Sequence, residues 1–200
     1  MPTMPRYSQY TVKWVTLPWE RVAAYALRQR VFCLEQGIFR GHDQDEIDAE
    51  AQLVVVVGGY SGWHEQVVGT VRIHQQARGV WCGSRLAVDP DFRHQVHLGS
   101  ALIRLAVSSA HARGCREFYA HVQPQNETLF QRMHWQTQDR LMWCGRPHVL
   151  MYADLDHYPP CADPFSGQVI CGRQTDQLAE LAPALLIASS AAGYSRGVGL

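Results

Sequence analysis

"RLAVDPDFRHQVHLGSALIRLAVSSAHARG", residues 85–114, decides the fold. Arg85 to Val88 reads as the end of a strand. Asp89-Pro90 breaks it, because proline brings no N–H to a ladder. A short loop carrying Arg93, His94 and His97 follows. Leu98, Leu102, Leu105, Ala106 and Ser109 then fall along one stripe, which predicts a helix from about Gly99 to Arg113. Its first turn holds Gly99 and Ser100. Such a turn exposes unpaired N–H groups and the positive end of the helix dipole, and a residue without a side chain lets an anion approach them. After Gly114, "CREFYAHVQ" reads as a strand. The strand-helix-strand unit over 81–122 predicts a right-handed parallel crossover.

Upstream, "YTVKWVT" alternates like a strand. From Pro18, "WERVAAYALRQRVFCLEQG" places Val22, Tyr25, Ala26 and Val31 at helical spacing and stops at Gly37. An acidic loop, "GHDQDEIDAE", leads to "AQLVVVVGG", whose unbroken apolar run predicts a strand covered on both faces. "QVVGTVRIHQ" and "VWCGSRLAVDP" are two strands joined around Ala77-Arg78-Gly79. Downstream, "NETLFQRM" is a short helix, and "TQDRLMWCG" with "HVLMYADL" is a hairpin through Gly145-Arg146-Pro147. This order predicts the α+β class, a mixed and mostly antiparallel sheet flanked by helices. Composition turns after Tyr158. Residues 1–158 are therefore read as one domain and 159–200 as an appended tail, docked or flexible, with "TDQLAELAPALLIAS" as an amphipathic helix interrupted by Pro183.

The chain has 200 residues, 46% of them hydrophobic, enough for one sizeable core. Its formal net charge is zero, which gives no support to a nucleic-acid or anionic-membrane partner. None of the six cysteines forms a C-x-x-C pair, so free thiols in a reducing cytoplasm are expected, with no zinc site. "MPTMPRYSQY" lacks the apolar core of a signal peptide, and the longest apolar run, "LVVVV", is too short to span a bilayer.

Three separated motifs occur in order. The first is "LRQRVFCLEQGIF" followed by "DQDEID", the second "LAVDPDFR" with "LGSALIRLAVSSAHARGC" and "REFYAHV", and the third "VQPQNETLFQRMHW". Together, from about residue 10 to 155, they resemble the GCN5-related N-acetyltransferase (GNAT) superfamily. "GSRLAVDPDFR" with the third motif most resembles the N-acetyltransferases encoded in nitrogen-starvation gene clusters. The resemblance implies acetyl-CoA as cosubstrate and a small-molecule amine as acceptor, with direct transfer between them. It also implies a central parallel strand pair that splays to admit pantetheine. It leaves a homodimer open.

By the same resemblance, Leu86, Ala87 and Val88 line the pantetheine arm, and the N–H of Val88 or a neighbour polarises the thioester carbonyl. Arg93, His94, Gln95, Val96, His97, Leu98, Gly99 and Ser100 form the pyrophosphate loop. The family's loop reads R/Q-x-x-G-x-G/A, and here only the last glycine, Gly99, fits. Asn126 contacts CoA, caps the short helix, or does both. Phe130 stands where many members carry a tyrosine general acid, and His134-Trp135 replace the family's Gly-Phe. Tyr119, one strand earlier, is a substitute acid or a core residue.

The bases to weigh are Glu35, Asp45, Glu46 and Asp48, or His74 and His121 at strand ends. The acidic residues alternatively bind a cationic acceptor, and Glu35 alternatively pairs with an arginine such as Arg72. Cys82 is an acyl-accepting nucleophile only if a base stands beside it. Two other functions stay open. "LRQRVF" with "DQDEID" also resembles the N-terminal signature of acyl-homoserine lactone synthases. The eroded loop and absent tyrosine also suit a non-catalytic acyl-CoA sensor.

Overall fold

The computed structural model describes residues 7–94, 97–143 and 145–171. Eight strands form one sheet in the order β6-β7-β5-β4-β3-β2-β1-β8. Strands β1 (Gln9–Trp14), β2 (Gln52–Tyr60), β3 (Trp63–Ala77) and β4 (Val80–Val88) pair antiparallel in turn. Strand β5 (Glu117–Val122) lies parallel to β4 after the crossover through helix α2 (Leu98–His111), as residues 81–122 predict. The hairpin of β6 (Trp135–Trp143) and β7 (Arg146–Ala153) completes that side. Among the described residues no helix is long and apolar enough to cross a membrane.

The sheet is covered on both faces, which is why "LVVVV" is apolar throughout. Val54 and Val56 pack in the cluster built on α2, and Leu53, Val55 and Val57 pack with Ala24 and Leu27 of helix α1 (Pro18–Arg28) and with Val31 just beyond it. Pro18 opens α1. Glu20 then accepts the N–H groups of Thr16 and Leu17 at 2.9 and 3.1 Å and binds Lys13 Nζ at 2.6 Å, capping the helix start. The chain's single lysine is thus a buried structural residue. The helix does not run unchanged to Gly37. From Gln29 to Glu35 it widens into a π-helical turn, which Gln36 closes with an N–H to Val31 O bond of 3.0 Å. Gly37 then takes φ 61°, a left-handed value.

The chain continues past Tyr158 onto the same body. Cys161 N–H bonds Ser108 O, Trp14 N–H bonds Pro164 O, and β8 (Gln168–Cys171) pairs antiparallel with β1. The helix expected over "TDQLAELAPALLIAS" lies outside the described residues.

One buried charge network locks the acidic segment to the sheet. Arg28, with no exposed surface, bonds Asp43 at 2.7 Å and Asp48 at 2.6 and 2.9 Å. Arg72 reaches Asp48 at 3.0 Å and also pairs with Asp45, while Arg85 contacts Asp43 at 3.1 Å and Asp45 at 3.2 Å. Burial works against the charge of Asp48, but hydrogen bonds from Arg28 and the Asp45 N–H outweigh it and hold its pKa at about 2, against 3.8 ordinarily. The unfolded chain therefore takes up this proton first. The stabilisation, about 2 kcal/mol at about 1.4 kcal/mol per pH unit, is complete above about pH 4 and lost as pH falls toward 2. Asp48→Asn should cost about 3 kcal/mol near neutrality by leaving Arg28 underpaired, and the gap to the parent chain should narrow on acidification. Urea denaturation across that pH range checks both.

Candidate functional site

Strands β4 and β5 pair over only four residues, from Val80 with Glu117 to Gly83 with Ala120. Beyond that point β4 runs on to Val88 and β5 to Val122 without a shared ladder, so the sheet opens. The opening has a local cause. Thr70 faces Ala87 while Arg72 faces Ser84, so β4 carries one extra residue across from Val71. Such a bulge bends and twists its strand. Arg85 sits in it at φ 55°, a conformation that costs a non-glycine residue about 1–2 kcal/mol. Its guanidinium compensates by bonding the Asp43 carbonyl at 3.1 and 3.3 Å and lying over the Phe39 ring at 4.4 Å.

Two cavities meet at the opening. A groove of about 1240 Å³ runs along its outer side, lined by Leu86, Ala87, Val88, Arg93, His94, His97, Leu98, Gly99, Ser100 and Asn126. The structure thus brings together every described residue that the resemblance assigned to the cofactor except Phe130; Gln95 and Val96 lie outside the described residues. Among the described residues the first helical bond of α2 runs from Ala101 N–H to His97 O. A Cβ on Gly99 would meet nothing nearer than Val88 Cγ2 at 3.9 Å, so the groove is open there. Asp89 gives its N–H to Val68 O on β3. Val88, one residue earlier in the alternation, faces the opening, where its carbonyl accepts from Arg93 Nε at 3.1 Å. Its N–H shares that direction.

The second cavity, about 850 Å³, shares Gln36, Leu86, Gln123 and Asn126 with the groove. On the α1 face of the sheet it is bounded by Asp45, Arg85, His74, Tyr119, His121 and Trp143. Several expected roles change here. Asp45 and Asp48 are engaged by Arg72, Arg85 and Arg28, three arginines matching the three aspartates that include Asp43, so these carboxylates are neither free bases nor an unpaired anionic patch. Glu35 pairs with Arg93 rather than Arg72, through two 2.6 Å bonds at the groove wall, and this lowers its pKa. Tyr119 donates its hydroxyl to Gln76, on the side of β3 away from the opening. Burial, then the neighbouring Cys82, pushes its pKa to about 12. Its ring is a wall of the cavity, and its hydroxyl proton is engaged by Gln76.

His121 is the first residue of β5 beyond its last pair with β4. Its ring stacks on Trp143 at 4.5 Å, and burial, then His148, lowers its pKa, favouring the neutral form. His74 is also lowered by burial, and its Nδ1 has no partner, but it faces Cys82, before the opening. Cys82 is held protonated by burial, with a pKa of about 11, and is no nucleophile. Helix α3 (Glu127–Arg132) buries Phe130 edge-on against Trp135 at 4.9 Å, lining the second cavity rather than the groove. His134 takes φ 63°, the left-handed position that a glycine would occupy freely, and stacks on His157 at 3.6 Å. The bulge at Arg85 and the bridge from Gln36 to Gln123, 3.0 Å across the cleft, carry no sequence signal, because each depends on partners far along the chain.

The family model of the acetyltransferase (GNAT) family matches residues 19–134, more than half of the chain, and the protein belongs to that family. Its members use acetyl-CoA or other acyl-CoA donors. Solved structures share the fold. An N-acetyltransferase from Lactobacillus plantarum is 24% identical over 72% of this chain and 97% of its own, with a TM-score of 0.64. Escherichia coli ElaA is 17% identical over 72% and 98%, with a TM-score of 0.58. FeeM, an N-acyl amino acid synthase from uncultured soil microbes, is 14% identical over 74% and 92%, with a TM-score of 0.57. No curated protein matches the chain.

Gly99→Glu would place a carboxylate in the open space beside the α2 N-terminus. It should weaken acetyl-CoA binding by at least about tenfold, with the fold intact. Calorimetric titration and a melting curve check this together.

Proposed function

We propose that the protein transfers an acyl group, acetyl in the simplest case, from acyl-CoA to the primary amine of a small molecule by direct attack. The observation that carries this is the junction of the two cavities at the β4–β5 opening: a groove ending on a helix N-terminus meets a second chamber beside the half-buried His121. Within the family, "GSRLAVDPDFR" and "VQPQN" with "FQRMHW" support a likeness to the N-acetyltransferases of nitrogen-starvation gene clusters.

The residues present fit the cosubstrate. The backbone N–H groups of Gly99 and Ser100 at the helix start, with Arg93, His94 and His97, suit a pyrophosphate. Leu86, Ala87 and Val88 offer the pantetheine arm an apolar edge, with the Val88 N–H directed into the opening. When bound, acyl-CoA supplies a thioester whose carbonyl carbon is open to an amine and whose thiolate is a good leaving group.

The Val88 N–H is aimed into the opening and would donate to the carbonyl oxygen as negative charge develops there. His121 takes the amine's proton, since it is the first β5 residue beyond the β4–β5 ladder and burial favours its neutral form. Phe130 donates no proton, and solvent protonates the departing thiolate. Trp143, Tyr119 and Phe39 shape the acceptor chamber, whose charges are already matched, so the acceptor is held by shape and rings more than by net charge.

His121→Gln should lower kcat/KM by about a hundredfold or more, measured as thiol release from acetyl-CoA over a panel of primary amines. Activity needs the neutral ring, so in the parent chain it should fall only as pH drops through a value below the ordinary 6.5 of histidine. The variant should lose that limb. Tight acetyl-CoA binding with no turnover on any amine would instead favour a sensor.

A further inference from the structure

The second cavity reaches both faces of the sheet. Tyr119, His121 and Asp45 bound it on the α1 face. Ile103, Ala106, Phe118, Ala120, Phe130 and Trp135 bound it on the other, where all six belong to the core cluster packed around α2. A cavity that touches both faces of one sheet passes through it. Gly83 and Ala120, the last β4–β5 pair, both line it, so the passage lies at the opening.

The far end is chemically uniform. Of those six side chains only Trp135 carries a polar atom, and its Nε1 donates to Tyr158 Oη at 2.9 Å. A space with such walls holds water poorly. An amine or a charged acceptor entering it would lose hydrogen bonds without replacement. Small residues line it, Ala106 on α2 and Ala120 at the gap, while Gly83 lets the Phe118 ring pack close to β4. A Cβ on Gly83 would come within 3.0 Å of the Phe118 ring. The place where the family's general acid often stands is filled by the Phe130 ring, which makes it part of an apolar wall.

We propose that this recess takes the alkyl chain of the acyl donor, a medium-length chain longer than acetyl, threaded through the sheet from a thioester seated at the opening. The proposal rests on the acyl-CoA assignment and narrows its donor class. An acetyl group would end within the gap. A longer chain would continue into the one direction where its methylenes leave water and displace nothing polar.

Calorimetric titration of the full chain with CoA, acetyl-CoA, hexanoyl-CoA and octanoyl-CoA tests it. A methylene removed from water strengthens binding about fourfold, the equivalent of about 0.8 kcal/mol. Hexanoyl-CoA should therefore bind at least about tenfold more tightly than acetyl-CoA, even with imperfect burial. In Ala106→Phe, whose ring would fill the recess, the hexanoyl-to-acetyl ratio should fall to about one. Ala120→Val adds less bulk at the gap and should lower the ratio several-fold; it carries the test if a melting curve shows Ala106→Phe unfolded.

Equal binding of acetyl-CoA and hexanoyl-CoA by the parent chain would overturn the recess assignment and leave acetyl transfer standing. A hexanoyl preference untouched by the folded variants would also overturn it, by placing the chain elsewhere. Binding of none of the four, CoA included, would overturn the cosubstrate assignment and the recess with it.

Discussion

Everything at the site follows from the early end of the ladder between β4 and β5. Two parallel strands that could continue to pair stop at Gly83 and Ala120. The unpaired backbone would be costly if it were simply buried, since orphaned N–H and C=O groups lose water without gaining a partner. Here it faces cavities instead. The bulge at Arg85 turns β4 away from β5, and the Arg85 side chain ties that distorted backbone to Asp43 and Phe39. A strained residue is retained where surrounding contacts over-determine it, and the same strain creates the space between the strands.

The acidic segment has a different purpose from the one its composition suggests. Asp43, Asp45 and Asp48 hold Arg28 of α1, Arg72 of β3 and Arg85 of β4, so one neutral network fastens helix, loop and two strands around the second cavity. Removing any one member strands a buried charge, which is why such networks resist change even where their net contribution is small. With its carboxylates engaged, the chamber keeps histidines as its titratable groups free of ion pairs. The burial that lowers the pKa of His121 suits a proton acceptor near neutral pH.

The π-helical turn completes the arrangement. It ends in Glu35, which binds Arg93 of the loop before α2, and Gln36, which bonds Gln123 at the end of β5. Arg30 adds a third tie, 2.8 Å to Asp89 where β4 ends. The π-helical turn and the loop before α2 are thereby connected across the mouth of the cleft. An ordinary α-helical turn would present these side chains at a different angle, and wide turns of this kind recur at functional sites.

Much of this protein was legible in its residues. Hydrophobic periodicity separated strands of period two from helices near 3.6. Asp89-Pro90, Gly37 and Gly114 marked the breaks, and the order of elements limited the topology to a sheet with one parallel crossover; these are local properties, set by side chains within a few positions of one another. Among the groove residues, Arg93, His94, His97 and Gly99 were legible for the same reason, lying around a helix start, while Leu86, Ala87 and Val88 were legible through the resemblance of their motif. What tertiary structure alone decided depends on partners distant in sequence. Asp45 and Asp48 became members of an arginine network because Arg28, Arg72 and Arg85 converge on them. Glu35 took Arg93 because the π turn points it there, and Tyr119 turned to Gln76 across two strands. The strand Gln168–Cys171 found its place beside β1 because that edge was free to pair. Charge and shape in a folded chain are set by neighbours in space, and no local pattern encodes which neighbours will meet.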